Sequence, residues 1–133
     1  MEKRAGFTLI ELIMVIAILA ILATVSIPKF IDLTIEAKKA GAQGGLGSIR
    51  SAVAISYAQS ITTGTATYPS SVTTSLFADS QIPKNSLNSL TSVGNVTAAP
   101  AGTGTSATNG WWYITASGRV GSYSDGTVDT SGF

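Results

Sequence analysis

One carboxylate stands alone in a long apolar run. Glu11 is the single formal charge between Phe7 and Ile27 in FTLIELIMVIAILAILATVSI. An ionised carboxylate at the centre of a membrane helix costs roughly 2.5–3.5 kcal/mol, less near an end, and such residues usually mark function. The plain alternative is a side chain snorkelling to the interface. Two further acids, Asp125 and Asp129, sit close together in YSDGTVDTSGF, where calcium is the chemistry to weigh. Calcium takes about six to eight oxygens, so this pair with nearby hydroxyls and carbonyls is a thin donor set, and Asp-Gly is also an ordinary turn dipeptide. Histidine and cysteine do not occur. That removes the commonest general base and metal ligand, and all thiolate or disulfide chemistry. Asp79, Asp125 and Asp129 show no pairing that would suit acid–base work, so an enzyme is not expected.

An apolar stretch of about twenty residues, wound as a helix, crosses roughly 30 Å of hydrocarbon. The leading MEKRAG carries Lys3 and Arg4, which would hold this end in the cytoplasm and send the rest outward. Three readings compete: a secretory signal peptide, a permanent anchor, and a short leader followed by an assembly helix. The apolar run is longer than the usual signal core of about 7–15 residues, and no A-x-A site follows closely, although Ala23 to Ser26 are small. Glu11 weighs against a plain anchor. The whole chain of 133 residues is 44% apolar and only 11% charged, as one greasy segment ahead of an ordinary domain would make it. Its eight basic residues are scattered among seven acids, so no basic patch for nucleic acid is visible.

The run Gly6-Phe7-Thr8-Leu9-Ile10-Glu11-Leu12 resembles the processing motif of type IV prepilins and of the pseudopilins of type II secretion. A short basic leader, a glycine, an aromatic, a glutamate and a long apolar run fall in the family's order. The resemblance implies that a prepilin peptidase cuts between Gly6 and Phe7 and that the new amino group of Phe7 is N-methylated. Glycine suits such a site because it lets a protease approach the backbone closely. Glu11 would then pair with the freed amine of a neighbouring subunit inside an apolar filament core, where an unpaired charge is costly. Loss of the leader leaves six acids and six bases, a formally neutral chain.

Pro28 closes the apolar run. Proline removes a backbone donor and kinks, locally melts or stops a helix; many pilins have a proline here, and the resemblance favours a kink. Beyond it, Phe30, Leu33 and Ala37, then Leu46, Ile49, Val53 and Tyr57, keep a helical spacing that places them in one stripe against a sheet. Gly41, Gly44, Gly45 and Gly47 interrupt that rhythm, each costing roughly 1 kcal/mol of helix propensity, so a bend or a close approach is expected there. The stretch PKFIDLTIEAKKAGAQGGLGSIRSAVAISYAQS is also loosely similar to mannose-sensitive haemagglutinin-type pilins. From Thr62 to Asn109 the composition turns to Ser, Thr, Gly and Ala with proline breakers, which reads as loop and short strand. Gly110 to Thr115 and Arg119 to Tyr123 read as a hairpin about Ala116-Ser117-Gly118.

The expected fold is therefore α+β and type IV pilin-like, with a long N-terminal helix packed by its C-terminal half on a small antiparallel sheet. Its parts are a leader at 1–6, a transmembrane and filament-core helix at 7–27, an amphipathic continuation at 28–61 and a β-rich region at 62–133. The resemblance implies a homo-oligomeric helical filament, processed by prepilin peptidase, built by an inner-membrane assembly platform, and resident in the membrane before export as an extracellular pilus. A periplasmic pseudopilin and a membrane-anchored periplasmic binding protein are the alternatives. Many Gram-negative pilins close their C-terminal loop with two cysteines. Here hydrogen bonding, subunit packing or a metal must secure the tail.

Overall fold

The structure, a computed structural model, describes residues 6–133. The expected leader falls mostly outside them, since residues 1–5, with Lys3 and Arg4, are not described. The chain divides into two compact units, one ending at Glu36 and one running from Ala37 to Phe133. A single helix, α1, runs from Leu9 to Thr62. Thr8 and Glu11 open it as a capping box: the Thr8 N–H donates to Glu11 Oε2 at 2.8 Å, and the Glu11 N–H donates to Thr8 Oγ1 at 3.3 Å. Pro28 lies inside the helix, so it does not stop it, although it brings no N–H to the carbonyl of Thr24. The far end closes on Gly64, whose φ of +87° suits a residue without Cβ. There the N–H of Thr65 donates to Ser60 O and that of Gly64 to Ile61 O, both at 3.0 Å, the pairing of a Schellman motif.

In the second unit the helix meets three short strands: β1 (Val93–Asn95), β2 (Trp111–Ile114) and β3 (Arg119–Ser122), in the order β1-β2-β3. The hairpin of β2 and β3 is antiparallel, with Trp111 opposite Ser122 and Ile114 opposite Arg119. Gly118, at φ +67°, makes its turn. β1, however, pairs with β2 in parallel. The sheet is thus mixed where an antiparallel one was expected, because the chain returns through loop 96–110 before entering β2 in the direction of β1.

Ala42, Leu46, Ile49 and Val53 form one buried helical stripe against Trp111, Tyr113, Val120, Val72, Leu87 and Val128. The stripe begins later than the spacing suggested. Phe30 and Leu33 are 68% and 64% exposed and are not part of this core. Tyr57 stacks on Tyr68 with ring centroids 4.4 Å apart.

The glycines have two different surroundings. A Cβ on Gly45 would lie 3.0 Å from Cη2 and Cζ2 of Trp111, and one on Gly41 would crowd Ser86, while Gly44 and Gly47 face open space. The close approach expected at this cluster is therefore made by Gly41 and Gly45, one turn apart, and it is made to side chains. Trp111 has little room to yield, being fully buried with its Nε1–H donating to Pro83 O at 2.8 Å. Gly45→Ala therefore loses more by overpacking, about 1–3 kcal/mol, than the roughly 1 kcal/mol of helix propensity it gains. Thermal unfolding of the detergent-solubilised chain should show a lower midpoint for Gly45→Ala and a higher one for Gly44→Ala.

No disulfide can hold the tail, and hydrogen bonds do. The single Thr130 O–H is shared between Gly102 O at 2.8 Å and Ser122 O at 3.0 Å, while Ser124 Oγ donates to Val128 O at 2.5 Å. Buried Asn85 supplies the centre of this region. Its two Nδ2–H donors are shared among Gly110 O at 2.6 Å, Tyr123 O at 2.9 Å and Ser122 Oγ at 3.0 Å, and its Oδ1 accepts from the Leu87 N–H at 2.9 Å.

Candidate functional site

The first unit has an inverted surface. Large apolar side chains from Leu9 to Ile35 are exposed, among them Ile10, Met14, Ile18, Leu22 and Val25. From Leu9 to Ile27 the apolar groups lie all round the helix, so no polar face remains there to be turned toward water. One stretch of α1 is long and apolar enough to cross a membrane. Such a surface is at home in lipid, or bundled with other helices of the same kind, and a contiguous apolar area of this extent marks an interaction surface.

Glu11 lies in the first turn of this rod. Its carboxylate is anchored through one oxygen, Oε2, which accepts from both the N–H and the hydroxyl of Thr8, at 2.8 Å and 2.7 Å. The side chain is thereby folded back toward the N-terminal end of the helix. Phe7 is 83% exposed, and Gly6 has open space around it. The expected cleavage point, the residue expected to carry the methyl group and the charged side chain are thus gathered within the first turn and its approach. A carboxylate there also meets the positive end of the helix dipole. Thr8 is the member of this group that the sequence reading passed over. The signal was present, since Thr-x-x-Glu directly ahead of an apolar run is a capping box.

Side-chain hydroxyls farther along the rod are satisfied locally. Thr24 Oγ1 donates to Ala20 O at 2.7 Å and Thr34 Oγ1 to Phe30 O at 2.8 Å, the four-residue back-bond that hides a hydroxyl in an apolar setting.

Asp125 and Asp129 are occupied by their own turns. Asp125 Oδ1 accepts from the Thr127 hydroxyl at 2.6 Å, the Thr127 N–H at 2.9 Å and the Val128 N–H at 3.2 Å; Asp129 Oδ1 accepts from the Ser131 N–H at 2.8 Å. Among the described residues no group of three or more acidic, histidine or cysteine side chains could hold a metal ion, so the calcium expectation gains no donor set. The Thr127 hydroxyl and N–H hold the Asp125 carboxyl below its ordinary pKa, as the Ser131 N–H does for Asp129. A depressed folded-state pKa contributes stability above the unfolded value, and that contribution is lost as pH falls through the folded one. The effect at exposed Asp125 is under about 1 kcal/mol. Asp125→Asn should shrink the fall in melting midpoint on acidification below about pH 4, read by thermal unfolding at a series of pH values.

The family described as the prokaryotic N-terminal methylation motif matches residues 1–27. A curated protein of Thermus thermophilus, the type IV narrow pilus major component PilA5, is 44% identical over 57 residues, which cover 43% of this chain. The matched segment spans 49% of that protein's own length. No solved structure gives a significant match. The chain is thus similar to a type IV pilin over the matched 57 residues, carries an N-terminal methylation motif ahead of an exposed apolar rod, and joins a long helix to a small sheet in an α+β, type IV pilin-like fold.

Proposed function

We propose that the chain is the structural subunit of a type IV pilus-like surface filament. The observation that carries this reading is the fully exposed apolar rod with a lone capped carboxylate at its start. Before assembly the rod resides in the inner membrane. Assembly moves it from lipid into a bundle of equivalent rods, an exchange of one apolar surrounding for another that costs little net burial. Prepilin peptidase cuts between Gly6 and Phe7, Phe7 is methylated, and the amine so exposed meets Glu11 of a neighbouring copy. Pro28 marks where the rod can bend or locally unwind on packing. The second unit provides the filament's outer surface and requires no catalytic group. The Thermus relative is named as a pilus component, which favours an extracellular pilus over a periplasmic pseudopilus; adhesion, motility and DNA uptake are the roles open to such a filament.

Mass spectrometry of protein sheared from the cell surface tests the proposal directly. The expected species begins at Phe7 and carries one N-terminal methyl group. An intact Met1 would make the chain a static anchor, a start near residue 27 a conventional secreted protein, and a strictly periplasmic population a pseudopilin.

A further inference from the structure

A cleft of about 350 Å³ opens in the second unit beside the edge strand β3, lined by Arg50, Arg119, Trp112, Pro100, Thr130 and Ser131 among others. Strand alternation sets Trp112 on the face opposite Trp111 and Tyr113, and the pairings Trp112–Gly121 and Ile114–Arg119 bring Arg119 to that same face. Trp112 lies over Gly121 so closely that a Cβ there would collide with the indole. The ring is a fixed platform, and glycine is what permits it. Arg50 reaches the cleft from α1 and is steadied by a hydrogen bond from Nη2 to Val120 O at 3.4 Å. Among the described residues no acidic side chain lines the cleft. Asp129 lies against Gly102 at the rim, with its Oδ1 tied to the Ser131 N–H.

We propose that this cleft binds a carboxylated saccharide. Guanidinium forks match the planar, two-oxygen geometry of a carboxylate, and the indole offers a flat apolar surface for the C–H face of a pyranose ring. A concave site of this size takes the end or a short stretch of an oligosaccharide. A nucleic acid would also stack and pair with arginine, but it needs a positively charged groove that tracks its backbone. The basic residues of this chain are scattered, and its charge without the leader is balanced.

Isothermal titration of the detergent-solubilised full chain with oligogalacturonate is expected to show saturable binding. The same oligomer with its carboxyl groups reduced to alcohols should bind at least about tenfold more weakly, and R119Q should weaken uronate binding by a similar factor. Arg119 is exposed at the start of β3, so R119Q should keep the wild-type melting midpoint, measured on the same sample. Absence of saturable binding, equal binding of the reduced oligomer, or a folded R119Q that binds like wild type would each overturn the proposal. So would a single-stranded oligonucleotide binding as tightly as the uronate, since the cleft would then be a general polyanion surface.

Discussion

Glu11→Ala should abolish incorporation of the subunit into filaments, and Glu11→Gln should do so nearly as completely. In the capped geometry Glu11 plays two parts, accepting hydrogen bonds from Thr8 and carrying the rod's negative charge. Alanine removes both. Glutamine serves in a capping box as glutamate does but cannot neutralise an amine. Breaking a buried ion pair by removing one partner costs about 3–5 kcal/mol, because the remaining charge is left uncompensated. In an assembly equilibrium that is about a hundredfold or more in subunit incorporation. The measurement is the yield of sheared filaments relative to membrane-held subunit, with each variant as the sole source of the protein. Thr8→Val is the control for the cap: it should cost only about 1 kcal/mol at the helix start and leave assembly largely intact. Glu11→Gln assembling like wild type while Thr8→Val fails would assign the glutamate to helix capping and remove charge pairing from the account.

The features legible in the sequence were those whose physics is local. The Gly6-to-Leu12 motif, the apolar run and the hairpin about Gly118 each rest on residues within one turn or one strand of each other, and the described parts of each lie where the spacing put them. Leu46, Ile49 and Val53 were readable as a buried stripe for the same reason. Phe30 and Leu33 share that periodicity and are exposed. An apolar stripe states only that water is to be avoided, and lipid, a sheet and a second copy all satisfy it. Pro28 was ambiguous because a proline can end a helix or sit within one whose neighbours compensate for the lost bond. β1 was readable only as an unplaced short strand within the Thr62 to Asn109 stretch. Val93-Gly94-Asn95 is too short to show alternation, and its parallel partner lies across an irregular loop, so the direction of pairing is fixed by tertiary packing.

Asn85 was the least legible of all, since Pro83-Lys84-Asn85-Ser86 reads as an ordinary polar turn. It is nevertheless fully buried, and among the described residues no buried side-chain polar atom lacks a hydrogen-bond partner. Its two amide hydrogens are shared among two backbone carbonyls and a hydroxyl while its carbonyl caps the Leu87 N–H, so one side chain binds the 85–90 turn to the start of β2 and the end of β3. In a chain without cysteine, that is one of the ties between the middle of the sequence and its C-terminal part, beside the bonds of Thr130 to Gly102. Asn85→Ala should cost about 2–4 kcal/mol, short of the sum of the separate bonds. The reason is that Gly110 O also accepts from the Tyr123 N–H at 3.0 Å, and Tyr123 O from Ser122 Oγ at 3.0 Å.

Asn85→Asp should be worse at neutral pH than alanine, although it differs from the native residue by a single group. It would aim a carboxylate at two carbonyl oxygens in a buried site, and both burial and the facing oxygens would raise its pKa in the folded state. The folded chain would then hold a proton that the unfolded chain releases, so stability falls as pH rises from the unfolded value of about 4 toward the raised folded one. Acidification should therefore partly rescue Asn85→Asp, because a neutral carboxyl group can donate one hydrogen bond where the carboxylate can donate none. Wild type and Asn85→Ala should show no such recovery. Denaturant unfolding followed by tryptophan fluorescence at neutral and acidic pH separates the cases. An Asn85→Asp midpoint equal to wild type at neutral pH would mean that the amide's donors do not hold the tail.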